Sequence, residues 1–301
     1  VTEFSVLDDG TVWRQDFERR LVAAYRAAGL GTEAAAEYVT KGRATAGDWT
    51  VVGIMDAGVR VGWVAVSVAE RSGGLAGRVG DLYVDAGYTG RGHEEAAREW
   101  AQGWCAERGA RRVNVRSTEP AMGEVFAGYR VDGQVRARHV DAPPEPVAGV
   151  TARPMTPAQY SDWLPLEKAS YVGDIVRSGA LGREEAERKS DEDFAALLPE
   201  GPATPDTALL VLEAAGEPIG TAWLRHGYLP GVTYGYSLHI HEEHRGHGYG
   251  RAAMAVGERA AFAAGGSVLM FSVWGGNEVA MNLYTSAGYR IVDEERSIRL
   301  P

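Results

Sequence analysis

One run of elements is written twice along the 301 residues, and that repetition restricts the fold more than any other feature. In the first half, helical spacing covers 15–28 and 32–39. Strand patterns at 48–56 and 59–69 then meet at Asp56-Ala-Gly58, and another follows at 79–84. A glycine turn at 87–92, a helix over 94–107 and strands at 112–115 and 129–140 close that half. The second half begins again with a strand at 150–153, helices at 157–179 and 183–198, and a hairpin joining 208–214 to 218–225. Letters agree with the order: Ala127-Gly-Tyr-Arg130 matches Ala287-Gly-Tyr-Arg290, and Gly90-Arg-Gly92 falls where Gly246-His-Gly248 does.

Between the copies lies Asp141-Ala-Pro-Pro-Glu-Pro-Val-Ala-Gly149, whose prolines cannot join a central strand and so predict a stiff linker. The expected division is therefore a domain over 1–140, a linker over 141–149 and a second domain over 150–301.

Composition narrows the class of partner. Acidic residues outnumber basic ones 41 to 31, for a net charge of −10, which argues against general nucleic-acid binding or attraction to an anionic membrane. Cys105 is the only cysteine, so no internal disulfide can form, and its surroundings predict a buried structural thiol. No apolar run reaches spanning length and the N-terminus lacks a signal peptide's pattern, so the expected location is cytoplasmic.

The most informative stretch is Tyr236 to Arg251. Ser237–His241 reads as a strand, Arg245-Gly-His-Gly-Tyr-Gly250 as a glycine-rich turn, and Arg251 as the opening of a helix. Glycines at 246, 248 and 250 let backbone N–H groups turn inward on an anion, and the following helix N-terminus favours phosphate oxygens, so a pyrophosphate suits the loop. A Walker loop would end in Gly-Lys-Ser/Thr, and this one ends Gly250-Arg251. A dinucleotide fingerprint would open an early βαβ unit.

The loop resembles the acetyl-CoA loop of the GNAT superfamily of N-acetyltransferases, Arg/Gln-x-x-Gly-x-Gly/Ala. The resemblance continues through a strand at 267–274, a helix at 276–284 containing Asn277 and Tyr284, and Ala287-Gly-Tyr-Arg290. It implies an α/β (α+β) fold of two GNAT-like domains, each a mixed, mostly antiparallel sheet flanked by helices. It also implies an acetyl-CoA-dependent N-acetyltransferase, with acetyl-CoA as co-substrate and no metal.

By the same resemblance, Arg245, Gly246, His247, Gly248, Tyr249, Gly250 and Arg251 hold the diphosphate, and backbone groups of Leu238, His239 and Ile240 pair with the pantetheine and thioester. Asn277 either caps its helix or contacts the coenzyme. The resemblance makes Tyr284 the proton donor to the leaving thiolate; on its own residues it is equally a core tyrosine. Many members carry a strand carboxylate as base, whereas this strand offers Ser237 and His239. His239 is the expected base because imidazole titrates near neutrality, with a water chain to Glu242 or solvent serving as well.

In the first half, Glu94 stands where the third glycine belongs and Thr89 where Arg245 does, and the counterpart of Tyr284 is Glu124 or Phe126. A carboxylate at that helix N-terminus would compete with a pyrophosphate for the same N–H groups, so this copy is expected to be non-catalytic. The histidines at 239, 241, 244 and 247 suggest a metal, but no cysteine or acidic third ligand stands at a recognised spacing.

The acceptor is expected to be a primary amine of a small molecule, cationic if Asp174 or Glu185 faces the cleft. The two copies could satisfy each other as a monomeric pseudo-dimer, or the chain could form a homodimer. Two further readings stay open: a tandem acyltransferase resembling mycothiol synthase, and a non-catalytic acyl-CoA sensor.

Overall fold

In chain order the elements are β1 (Thr2–Val6), α1 (Thr11–Ala27), α2 (Thr32–Arg43), β2 (Thr50–Asp56), β3 (Val59–Arg71), β4 (Gly74–Val84), α3 (His93–Glu107), β5 (Arg112–Ser117), α4 (Pro120–Val125) and β6 (Arg130–His139). The order restarts with β7 (Val150–Pro154), α5 (Pro157–Ser178), α6 (Arg183–Leu197), β8 (Thr207–Ala214), β9 (Glu217–Leu229), β10 (Val232–Ile240), α7 (Tyr249–Ala263), β11 (Val268–Trp274), α8 (Glu278–Ser286) and β12 (Arg290–Arg299). This computed structural model describes all residues except 8–9, 44–47, 72–73, 119, 147–148 and 179–180. Positions 147–148 of the expected linker and 179 of the expected helix thus lie outside the described residues.

Two compact units interleave along the sequence. One comprises Val1–Ala27, Ala35–Gln134 and Ile291–Pro301; the other comprises Ala28–Ala34 and Val135–Arg290. The first unit pairs its strands β1-β2-β3-β4-β5-β12, so its last strand comes from the far end of the chain. Asp293 on that strand shows why it stays there. At 1% exposure it accepts hydrogen bonds from Tyr25 (3.1 Å), Tyr38 (2.8 Å) and Arg116 (2.5 Å), a buried carboxylate with every partner from one unit.

Both units fold for the same local reasons. The valine-rich hairpin β2–β3 places Val52, Ile54, Val61, Val64 and Val66 in a core closed by Ala97, Ala101 and Cys105 of α3. Burial pushes the Cys105 thiol up to about 11, so it is a packed thiol at neutral pH, as its surroundings predict. In the second unit Leu212 and Ile219 of the β8–β9 hairpin meet Ala252, Ala253 and Val256 of α7, while Leu209, Val211 and Trp223 face α5 and α6 through Trp163 and Phe194. Alternation along β8 therefore feeds two helical layers, one on each face.

In each unit four strands pair antiparallel in succession, β1 to β4 and β7 to β10, and the next seam is parallel, β4 with β5 and β10 with β11. At both seams the parallel pairing is short. β4 pairs β5 only from Ala76↔Arg112 to Val79↔Val115, and β10 pairs β11 only from Val232↔Val268 to Gly235↔Phe271. The remaining lengths of β4 and β10 part from those neighbours.

Candidate active site

Helix α7 starts at Tyr249, two residues before the expected opening at Arg251, because Gly248 already serves as its N-cap at φ 79°. No side chain caps this end, so the first N–H groups of α7 are left for a ligand or water. Gly246 (φ 81°) and Gly248 hold the left-handed backbone that brings those N–H groups round, with nothing near the place a Cβ would occupy. Gly250 differs from its expected role. A Cβ there would sit 2.9 Å from Leu283 Cδ2, so this glycine permits close approach of α8 rather than of an anion.

That contact joins the loop to the helix carrying the candidate proton donor. Arg251 Nη2 adds a hydrogen bond to Ser286 Oγ at 3.2 Å, and Leu283 immediately precedes Tyr284. The Tyr284 ring lies 4.3 Å from that of Phe271 on β11, and burial raises its pKa while the nearby Arg136 draws it down. Arg136 donates to Thr285 Oγ1 (3.0 Å) and to the Tyr289 carbonyl (3.2 Å), holding the end of α8 against the sheet. Asn277 caps α8 through its own side chain, with Oδ1 accepting the Ala280 N–H at 3.1 Å.

On the strand side, Tyr236 is an extra residue: Gly235 opposes Leu224 and Ser237 opposes Trp223, so β10 bulges there. Beyond the bulge, Leu238, His239 and Ile240 stay paired with β9 through Ala222, Thr221 and Gly220, but their other edge has left β11. The side chains of Leu238 and Ile240 pack into the α7 layer, leaving their backbone groups as what they can offer a ligand. Arg245 Nε donates to the Ile240 carbonyl at 3.0 Å, tying the loop to the end of the strand. His247 stacks on Tyr249 with ring centroids 6.0 Å apart.

The His239 ring is exposed, and partial burial together with the charges of Arg245 and His241 lowers its pKa. Although His239 and His241 lie 5.9 Å apart by ring centroids, no three histidine, cysteine or acidic side chains among the described residues are grouped to hold a metal ion.

Sequence reading missed one polar group on this face. Glu167 of α5 is directed at the Ser237 hydroxyl and the Trp163 indole, and burial is the main cause of its raised pKa. Its surrounding letters, Leu164-Pro-Leu-Glu-Lys168, show only a charged position on a helix. Packing of α5 on β10 decides that it points inward.

The first unit has the same loop in a different state. Gly90 (φ 72°) and Gly92 (φ 86°) repeat the two left-handed glycines, and Gly92 caps α3 as Gly248 caps α7. There, however, Glu94 Oε1 accepts the Gly90 N–H at 3.2 Å.

Residues 176–289 match the family described as Acetyltransferase (GNAT) family. An uncharacterized N-acetyltransferase, YycN, of Bacillus subtilis (strain 168) is 29% identical over 152 residues, 49% of this chain and 96% of that protein. A mycothiol acetyltransferase of Pseudarthrobacter chlorophenolicus is 27% identical over 146 residues, 47% of this chain but 42% of that protein. Among solved structures, a GCN5-related N-acetyltransferase from Sphaerobacter thermophilus superposes with a TM-score of 0.57 at 18% identity, covering 99% of this chain and 96% of that one. That likeness extends the shared fold to both halves.

Proposed function

We propose, from the premise that the C-terminal half is a GNAT acetyltransferase domain and the protein an acyltransferase, that it moves an acetyl group from acetyl-CoA to a primary amine of a small cationic molecule. One observation carries this reading: β10 leaves β11 after Gly235, within the same unit as an α7 N-terminus that no side chain caps. A parted strand supplies unpaired backbone groups for a pantetheine arm, and an uncapped helix end supplies N–H groups for a diphosphate.

The chain's own groups then divide the work. Loop nitrogens around Gly246 and Gly248, helped by Arg251, anchor the coenzyme, and the free edge of Leu238–Ile240 orients and polarises the thioester. Tyr284 gives a proton to the departing thiolate, since a phenol can donate to a thiolate forming beside it. His239, neutral at pH 7, is one available proton acceptor on this face, and Glu167 is another. The first unit takes no coenzyme, because Glu94 already accepts from its loop.

The test is calorimetry with acetyl-CoA followed by a thiol-release assay over a panel of primary amines. One coenzyme bound per chain with amine-dependent thiol release is expected. Binding without release across the panel would instead make the protein a sensor of acyl-CoA, and two equivalents bound would remove the division between the units.

A further inference from the structure

Strand register makes Asp81 the counterpart of Ser237. Asp81 opposes Ala65, three residues beyond Gly62, and Ser237 opposes Trp223, three residues beyond Gly220; each glycine pairs the end of its parted strand, Val84 or Ile240. Both positions follow a bulge, Gly80 in one strand and Tyr236 in the other. The two units nevertheless arrange their carboxylates differently.

In the first unit the strand itself carries the carboxylate, and it is neutralised. Asp81, 5% exposed, accepts from Trp13 Nε1 at 2.8 Å and from Arg20 at 2.6 and 3.1 Å. In the second unit the strand has a serine and the carboxylate arrives from the helix as Glu167, beside the indole of Trp163. No described arginine or lysine pairs with it. Ser237 Oγ and Trp163 Nε1, the two buried donors it faces, have no other hydrogen-bond partner. A carboxylate matched by a guanidinium is a structural pair, whereas a half-buried carboxylate that faces only a hydroxyl and an indole, with no cation beside it, is arranged for a charge it does not yet hold.

The wall around it suits a cationic visitor. Tyr236 stands 4.6 Å from Trp223 and 5.1 Å from Tyr234 by ring centroids, and two turns further along α5 Asp174, itself paired with Arg177, also bears on Glu167. Aromatic faces and acidic groups both attract an ammonium.

We propose that Glu167, deepening the acetyltransferase reading on which this rests, binds the acceptor ammonium and takes its proton. R–NH3+ passes one proton to the Glu167 carboxylate, and the freed lone pair forms the C–N bond as the C–S bond breaks. The thiolate takes the Tyr284 proton, and the proton lost from the acylated nitrogen restores that phenol. Glu167 then releases its own proton to solvent, so the sum is amide, thiol and one proton.

The groups facing Glu167 are Ser237 of β10 and, from α5 itself, Trp163 and Asp174, so a shifted pH profile in a variant reports on a short list of neighbours. The test compares the unaltered protein, E167Q and E167D, with acetyl-CoA and two acceptor probes. One is an aliphatic primary amine that is an ammonium at pH 7; the other is acethydrazide, already neutral there. E167Q is expected to lower kcat/KM for the ammonium probe by about 100-fold and for the hydrazide by only a few-fold, with E167D recovering part. The acidic limb of the profile should vanish in E167Q alone.

Equal losses on both probes, or none, would overturn the assignment while leaving the acetyltransferase reading intact. If neither these probes nor the amine panel elicits transfer by the unaltered protein, that reading fails and this assignment with it. Acetyl-CoA affinity verifies the fold of each variant, and E167D carries the comparison if E167Q does not fold.

Discussion

Tyr289 donates its hydroxyl to Glu258 Oε1 at 2.8 Å, and at the matching positions of the first unit the bond is reversed, with the Gln102 amide Nε2 donating to the Tyr129 hydroxyl at 2.6 Å. Each pair locks the residue after the closing Ala-Gly dipeptide onto the long helix that follows the glycine turn. Glu258, 3% exposed, also holds Arg138 at 2.9 Å, so its charge is matched.

Removing that carboxylate strands a buried hydroxyl and loosens the arginine. Glu258→Ala should cost about 2–3 kcal/mol in denaturant unfolding. Glu258→Gln should cost about 1 kcal/mol or less, because an amide can still accept from the Tyr289 hydroxyl or donate to it, as Gln102 donates to Tyr129 in the other unit. Equal costs would show that the hydrogen bond is not what holds the pair.

Tyr284 offers a cleaner separation of chemistry from packing. Its ring contacts, 4.3 Å to Phe271 and 6.2 Å to Tyr289 by centroids, survive in a phenylalanine. Tyr284→Phe should therefore unfold within about 0.5 kcal/mol of the unaltered protein while turnover falls about 100-fold. Unchanged turnover with a panel amine would transfer the donor role elsewhere.

The order of elements in both halves was legible because hydrophobic spacing and turn residues are local signals. The expected hairpins, glycine turns and long helices all appear within a few residues. β1 (Thr2–Val6) and α4 (Pro120–Val125) were not foreseen, being short and supported mainly by neighbours. Nor could spacing show which unit a strand joins: the residues after Arg290 continue the second copy's letters, yet Ile291–Pro301 belongs with the first unit through Asp293. The glycine loop was readable since positive φ restricts residue choice. Glu167 was not, because a helical carboxylate looks the same in sequence whether it meets water or Ser237.

The two loops allow a paired experiment. Gly92→Ala and Gly248→Ala each force an alanine into the left-handed region, at φ 86° and 79°, and each should cost about 1 kcal/mol of stability. Only Gly248→Ala should weaken acetyl-CoA binding by calorimetry, since Glu94 already engages the Gly90 N–H in the first unit. Weaker binding in Gly92→Ala would mean that the first loop also receives the coenzyme.

Glu167 should betray its setting in stability alone, without any assay of turnover. Burial raises its folded-state pKa above the unfolded value of about 4.3, so the folded form binds the proton more tightly. Stability is thus lost as pH rises from the unfolded value through the folded one, and the cost of the buried charge is fully present above that window. Glu167→Gln removes this cost. It should raise the denaturation midpoint at pH 8, and its advantage over the unaltered protein should shrink through the acidic range and disappear below about pH 4. A difference that stays constant from pH 4 to pH 8 would mean that Glu167 titrates like a solvated carboxylate, and its place facing Ser237 would then say nothing about proton transfer.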